Sequence, residues 1–273
     1  MTKRTRKKKK HLLDIIVLAY DVFPLLEQCI NSIPEACEGI SYRVILFDNG
    51  STDKRAKQAY YKSIESRKDV SVYYTDKNLG FPEGNNRAVK KGSAPLVLLL
   101  NSDVVLLPGS ITELVGSMDD EKVGIAGMKL LFPEDSVDDA RPAGKVQHIG
   151  MTTDIGGNVY HVMIGWSADH PKVNATKDVY FVTGAALLIR RSLWDVAKGF
   201  PPEFGKGTWE DIHLCMVVRD LGYNIVVNPK AVGYHHVGSA AIAHKEPFPI
   251  QQNRQIFLQR WGSKLVYDEW RRM

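Results

Sequence analysis

The chain has 273 residues, 44% hydrophobic and 25% charged, the make-up of an ordinary globular protein with room for one large α/β domain. Its three cysteines, Cys29, Cys37 and Cys215, are odd in number and lack metal-ligand spacing. That excludes a disulfide framework and favours a reducing compartment.

The formal charge of +5 belongs to one end. The first ten residues hold seven Lys or Arg and no acid, so the other 29 bases face all 31 acids and the body is near −2. Residues 1–11 therefore read as a basic tail disordered by self-repulsion. Lys3 to Lys10 could serve as an arm for an anionic surface, membrane or nucleic acid. The alternative is a solvated end that only aids solubility. No run approaches the ~20 apolar residues of a transmembrane helix. Asp14 interrupts the first apolar stretch too early for a signal peptide. The expected location is the cytoplasm, with peripheral attachment to a membrane left open.

Asp14 to Ala19 is short, apolar and β-branched, a buried strand. Pro24 marks a helix start, and Leu25, Leu26, Cys29, Ile30 and Ile33 follow helical spacing. Tyr42 to Phe47 is a second strand, ending in Asp48-Asn49-Gly50-Ser51. A polar helix runs from about Asp53 to Arg67. Val70 to Tyr74 is a third strand, Asn85 to Lys91 a helix and Leu96 to Leu100 a fourth, fully buried strand. This alternation predicts a mainly parallel sheet with helices on both faces. Ligands then bind at the carboxyl ends of the strands, where Asp48 to Asp53 and Asn101 to Asp103 fall.

From Pro133 to Asn174 periodicity is weak and Gly, Pro and Asp are frequent. This long excursion, with room for a hairpin, suits a functional loop on the acceptor side. Val179 to Ile189 reads as one strand, followed by helices over Ser192–Ala197 and Glu210–Leu221. Gln251 to Trp270 reads as an amphipathic helix carrying Phe257, Trp261, Leu265 and Trp270, fit for an interface or for packing on the domain.

An acid just past a buried parallel strand is held rigidly at the ligand edge. Asp103 there could hold a hard divalent ion whose other ligands are waters and phosphate oxygens; Asn101 and Asp103 could equally only shape the turn. Turn and cap chemistry explain Asn49-Gly50, Ser51 and Asp53. They do not require Asp48, whose carboxylate could accept a base N–H. Glu210 and Asp211 open a helix, where acids are favoured electrostatically, yet either could be a general base. His235 and His236 follow Val226-Val227-Asn228-Pro229 and are metal-ligand or loop candidates.

Taken together and in order, these motifs resemble glycosyltransferase family 2, the inverting group with the GT-A fold. Leu18-Ala19-Tyr20-Asp21 resembles its opening segment, which usually ends Tyr-Asn. Phe47 to Asp53 is similar to its nucleotide-binding signature. Asn78-Leu79-Gly80-Phe81 with Gly84-Asn85-Asn86-Arg87-Ala88 resembles its rhamnosyltransferase-like members. Asn101-Ser102-Asp103 resembles the Asp-X-Asp metal motif with Asn in first place. Val182 to Ala186, Arg190-Arg191, Gly199-Phe200 and Trp209 to Cys215 also match, although the family often has Asp at His213.

The resemblance implies a GT-A domain over 12–245, with a nucleotide-binding half (12–105) and an acceptor-binding half (106–245), then a helical segment over 246–273. It implies a UDP- or dTDP-linked sugar donor and a glycan or glycoconjugate acceptor, as in polysaccharide biosynthesis. Ala19, Tyr20, Asp21, Asp48, Asn78, Gly80, Phe81, Asn85, Asn101 and Ser102 would bind the donor. Asp103 would hold Mg2+ or Mn2+ with one of His235 and His236, His236 being favoured. Asp211 would be the base and Glu210 would position acceptor or cation. Trp209 and Gly184 would face the acceptor, Trp209 being as readily a core aromatic. The alternatives are a catalytically silent binding module, a transferase acting on nucleic acid through the tail, and a hydrolase. A nucleotidyltransferase is disfavoured, because Tyr20 to Pro24 has no glycine for a phosphate loop.

Overall fold

The structure, a computed structural model, describes residues 11–154, 156–237 and 247–265. The expected tail over Lys3–Lys10, and Trp270, lie outside the described residues. The four apolar runs form β1 (Leu13–Ala19), β2 (Tyr42–Asp48), β3 (Val70–Tyr74) and β4 (Leu96–Asn101). They lie in the order β4-β1-β2-β3, all parallel. The crossovers are α1 (Phe23–Ala36), α2 (Lys54–Ser63) and α3 (Gly80–Val89). Pro24 sits in the first turn of α1, which buries Leu26, Cys29, Ile30 and Ile33 on one stripe. The Asp53 carboxylate caps α2 by accepting from the Ala56 amide at 2.9 Å. α3 starts at Gly80, five residues before the predicted helix.

The second half is less regular. β5 (Val104–Leu106) and α4 (Ser110–Gly116) lead to β6 (Val123–Leu131), which is buried throughout. The excursion contains β7 (Val146–His148) and the antiparallel pair β8 (Met151–Thr153) and β9 (Val159–His161). Then follow β10 (Lys177–Asp178), β11 (Ala186–Arg190), α5 (Arg191–Ala197), α6 (Glu210–Asp220), β12 (Asn224–His235) and α7 (Ile250–Trp261). The main sheet runs β10-β12-β6-β11-β4-β1-β2-β3. β11 is antiparallel to both neighbours, so the sheet is mixed in its second half. One core layer packs α1, α2 and α4 on the sheet; the other packs α3, α5, α6 and α7.

Three differences from expectation have physical causes. The strand predicted over Val179–Ile189 shortens to Ala186–Arg190, since Gly184 bends away to donate its amide to Asp211 at 2.8 Å. β6 carries Gly124 and Gly127, which dilute its pattern; a Cβ on either would lie 2.6 Å from Val218 or Val182. β12 contains Asn228 and Pro229, which break a strand pattern, and the ladder shifts register between Asn228 and Val232.

β6 and β12 run with β1–β4, and β11 runs against them. Ala19, Asp48, Asn101, His235 and the Gly184 approach to β11 therefore share one sheet edge.

The opposite edge is tied by Asp14, only 1% exposed. Its carboxylate accepts from Arg43 (3.2 Å), Arg191 (2.9 Å) and the amides of Ser93 (2.6 Å) and Ala94 (2.7 Å). Asp14→Ala leaves two partly buried guanidinium groups and two amides without this acceptor, so urea denaturation should show a loss of about 3–5 kcal/mol. A loss below about 1 kcal/mol would mean solvent replaces these contacts.

Candidate active site

The shared edge opens into a cavity of about 760 Å3. Its wall includes Tyr20, Asn49, Asn78, Gly80, Phe81, Asn101, Ser102, Asp103, Lys206 and His235. Eight of these ten were expected at the donor or metal site, His235 as the less favoured of two histidines; Asn49 and Lys206 were not.

Asp48 stands behind this wall, fully buried. Its carboxylate accepts from the amides of Gly50 (3.1 Å) and Ser51 (3.0 Å), from Lys57 Nζ (2.8 Å) and from Tyr61 Oη (2.7 Å). Those donors hold the turn rather than leave the carboxylate open to the cavity. Asp21 does similar work: it accepts from the Thr52 amide and hydroxyl and the Asp53 amide, at 2.9, 2.8 and 3.2 Å. Ala19 contributes only backbone, its carbonyl accepting the Asn49 amide at 2.7 Å. The stitched turn presents Asn49, whose Nδ2 donates to Asn78 Oδ1 (3.0 Å) and the Gly80 carbonyl (3.2 Å). Gly50, at φ +84°, must be glycine: a Cβ would lie 2.4 Å from the Lys77 carbonyl carbon. Asn85 is buried and donates to the Phe81 carbonyl at 2.9 Å, steadying the first turn of α3.

β5 pairs antiparallel with the end of β12, Val104 opposite His235. This brings Asp103 to the histidines. Alternation along β12 turns His235 inward, and its Nε2 lies 3.2 Å from Asp103 Oδ1. His236 was the favoured ligand of the two, yet it is His235 that lines the cavity; the His236 amide donates to the Asp103 carbonyl at 3.0 Å. Gln147 Oε1 lies 2.7 Å from His235 Nδ1, and Gln147 Nε2 donates to the His235 carbonyl at 2.8 Å. With Nδ1 protonated toward Gln147, Nε2 presents a lone pair to the cavity. Two ligands of one octahedral ion with bonds of about 2.1 Å stand roughly 3 Å apart, so the Asp103–His235 spacing fits one divalent cation. Among the described residues there is no cluster of three such side chains, so a diphosphate and waters would complete the shell. Nothing in the sequence marks Gln147, since it sits in the irregular excursion.

Glu210 and Asp211 open α6 after two left-handed residues, Thr208 (φ 79°) and Trp209 (φ 71°). Asp211 accepts from the Gly184 and Ile212 amides, both at 2.8 Å. Burial raises its pKa, and those amides oppose the rise. Glu210 is 5% exposed, and its Oε2 has no hydrogen-bond partner. Burial, then the charge of Asp211, pushes its pKa well above the carboxylate range. Of the two carboxyls, Asp211 has the amide donors that favour its charged form and Glu210 Oε2 has none, so Asp211 gives up its proton more readily. Asp211 does not itself line the cavity: a Cβ on Gly184 would touch Asp211 Cβ and Phe81, both at 3.4 Å, so Gly184 lies between Asp211 and the lining residue Phe81. Trp209 packs on Phe257 of α7, centroids 5.2 Å apart, as a core aromatic and not as cavity wall. His213 is buried and accepts from Trp261 Nε1 at 2.9 Å; burial lowers its pKa to about 4. The position where the resemblance led one to expect Asp is thus a core contact to α7.

Residues 14–197 match the family model for glycosyl transferase family 2. The O-antigen biosynthesis protein RfbC of Myxococcus xanthus is 26% identical over 243 residues, 86% of this chain and 18% of that one. An N-acetylglucosaminyltransferase of Bradyrhizobium diazoefficiens is 27% identical over 227 residues, 81% of this chain and 44% of its own. The chain thus spans less than half the length of either relative. Among solved structures, GalNAc-T7 with UDP, GalNAc and Mn2+ superposes with a TM-score of 0.72 at 12% identity, over 97% of this chain and 50% of that one. The fold is that of the GT-A glycosyltransferases.

Proposed function

The chain belongs to glycosyl transferase family 2, and from that premise we propose that it is an inverting glycosyltransferase. It moves a sugar from a UDP- or dTDP-linked donor to a hydroxyl of a glycan or glycoconjugate. The observation that carries this reading is one cavity walled by the Asp103–His235 pair, with the buried Asp211 set behind its Phe81 wall at Gly184.

The donor's nucleoside rests against Tyr20, Asn49 and Asn78, on a turn fixed from behind by Asp48 and Asp21. Lys206, on the cavity wall, supplies positive charge near the diphosphate. Asp103 and His235 hold Mg2+ or Mn2+, which when bound neutralises charge on the leaving diphosphate. Asp211 takes the proton from the acceptor hydroxyl. The freed oxygen bonds the anomeric carbon from the face opposite the diphosphate, the bond to the diphosphate oxygen breaks, and the configuration inverts. Glu210, whose carboxylate lacks the amide donors that Asp211 has, positions the acceptor.

The name of the Myxococcus relative and the UDP and Mn2+ of the GT-A neighbour support a surface-glycan acceptor and a uridine donor. We assign the donor to residues 12–105 and the acceptor to 106–245. We place the protein in the cytoplasm, peripheral at a membrane through Lys3–Lys10. No helix among the described residues is long and apolar enough to cross a membrane.

A thermal-shift series with UDP, dTDP and GDP, with and without Mn2+, tests the site. A matching nucleotide at about a hundred times its dissociation constant stabilises by about 2.7 kcal/mol, roughly 5–10 °C for a domain of this size. The uridine or deoxythymidine diphosphate should give that shift only with metal. A well-folded sample unmoved by every nucleotide would sink the donor site.

A further inference from the structure

We infer that Asn253, on α7, is a positioning residue for the proposed base Asp211. Asn253 is 1% exposed. Its Nδ2 faces the carbonyls of Phe204 (2.9 Å), Gly207 (2.8 Å) and Thr208 (3.0 Å), and Thr208 Oγ1 at 3.3 Å. The amide has two protons, so these carbonyls share them in bifurcated contacts.

The loop they belong to is strained. Gly205, Gly207, Thr208 and Trp209 all have positive φ, at 58°, 127°, 79° and 71°. Threonine and tryptophan in that region are disfavoured, and such residues persist only where the surroundings over-determine them. The Gly207 and Thr208 carbonyls lie within this run and the Phe204 carbonyl just before it. A single side chain collects those carbonyls, and it comes from a helix distant in sequence. Two further contacts fasten the same helix to the same corner: Phe257 against Trp209 at 5.2 Å, and Trp261 donating to His213 at 2.9 Å.

The loop's other side forms the cavity. The Lys206 carbonyl accepts the Phe81 amide at 3.0 Å, and a Cβ on Gly80 would lie 2.3 Å from the Gly205 carbonyl oxygen. The segment 204–208 is thus clamped between the donor wall and Asn253, and it ends at Glu210-Asp211. Moving its carbonyls moves the first turn of α6, and with it Asp211 relative to the Gly184 amide. Asn253 touches no substrate and acts through the loop. The inference rests on the reading of Asp211 as base.

The test uses the full chain with Asn253→Ala, and Asn253→Ser as a variant that keeps one donor should alanine not fold. Hydrogen exchange should quicken at least tenfold at the 205–211 amides and stay unchanged in β1–β4. At a temperature where the variant is fully folded, kcat should fall 10- to 100-fold, with the serine variant between alanine and wild type. Donor KM should stay within about threefold, and the acidic limb of the kcat–pH profile should move as Asp211 changes surroundings. Unaltered exchange at 205–211 would overturn the inference, as would wild-type kcat and pH profile. A fall in kcat that only tracks the unfolded fraction, with the pH profile unmoved, would also overturn it. The two readings fail separately: active Asp211→Asn sinks the base, whereas inactive Asp211→Asn beside wild-type Asn253 variants sinks only the positioning role.

Discussion

Asp211→Asn should lower kcat by about a hundred- to ten-thousand-fold, the usual contribution of a positioned base. Donor binding, read as the nucleotide-dependent thermal shift, should stay within about twofold of wild type. The change is nearly isosteric, and an amide oxygen can still accept the Gly184 N–H that a carboxylate oxygen accepts at 2.8 Å. The other oxygen becomes an NH2 group that cannot accept the Ile212 amide, so that contact is lost together with the proton acceptor. The pH dependence follows from the same burial. Because the folded pKa is raised above the ordinary 3.8, kcat should climb with pH through a point above the usual aspartate range and then level off. The stability effect has the opposite sign. Between the unfolded and folded pKa the native state holds more protons than the unfolded chain, so stability falls as pH rises through that window. Asparagine carries no such penalty, which offsets the lost Ile212 contact, so Asp211→Asn should stay folded at neutral pH while inactive. Normal turnover would remove Asp211 from the reaction. Loss of folding at neutral pH would show that the charge is structural.

What the sequence discloses here depends on how local the chemistry is. The parallel half was legible because Leu13–Ala19, Tyr42–Asp48 and Leu96–Asn101 are short apolar runs whose burial is written in consecutive residues. The placement of Asp103 and Asp211 was legible because each follows or opens an element, where the chain holds an acid rigidly. The rest depends on pairings between distant segments. β6 hides its nine buried residues behind Gly124 and Gly127, whose absent side chains make room for Val218 and Val182. Asp48 reads as a ligand because its partners Lys57 and Tyr61 occupy the next helix, on a face that periodicity alone does not aim at it. His235 could be preferred over His236 only from the phase of β12, and the register shift between Asn228 and Val232 resets that phase. Gln147 and Asn253 carry no local sign, since each matters only through backbone that folding brings to it.

The metal pair gives the second large effect. Asp103→Ala should abolish the part of nucleotide stabilisation that depends on Mn2+, a loss of roughly a hundredfold or more in metal-dependent donor affinity, because the ion's charge on the diphosphate amounts to several kcal/mol. His235→Ala should follow it, and His236→Ala should not, since His235 and not His236 lines the cavity. That contrast separates a ligand role from mere proximity. Gln147→Leu supplies a graded control. It removes the acceptor at 2.7 Å that fixes the His235 tautomer and leaves both ligands in place, so the loss should be about 10- to 100-fold. The four variants are compared by titrating Mn2+ at fixed nucleotide and following the unfolding midpoint, a measurement that needs no acceptor. The order expected is Asp103 and His235 first, Gln147 next and His236 near wild type. If Asp103→Ala keeps full metal dependence, the cation sits elsewhere in the cavity. If His236→Ala loses it as completely as His235→Ala, side-chain alternation at the end of β12 does not decide the ligand.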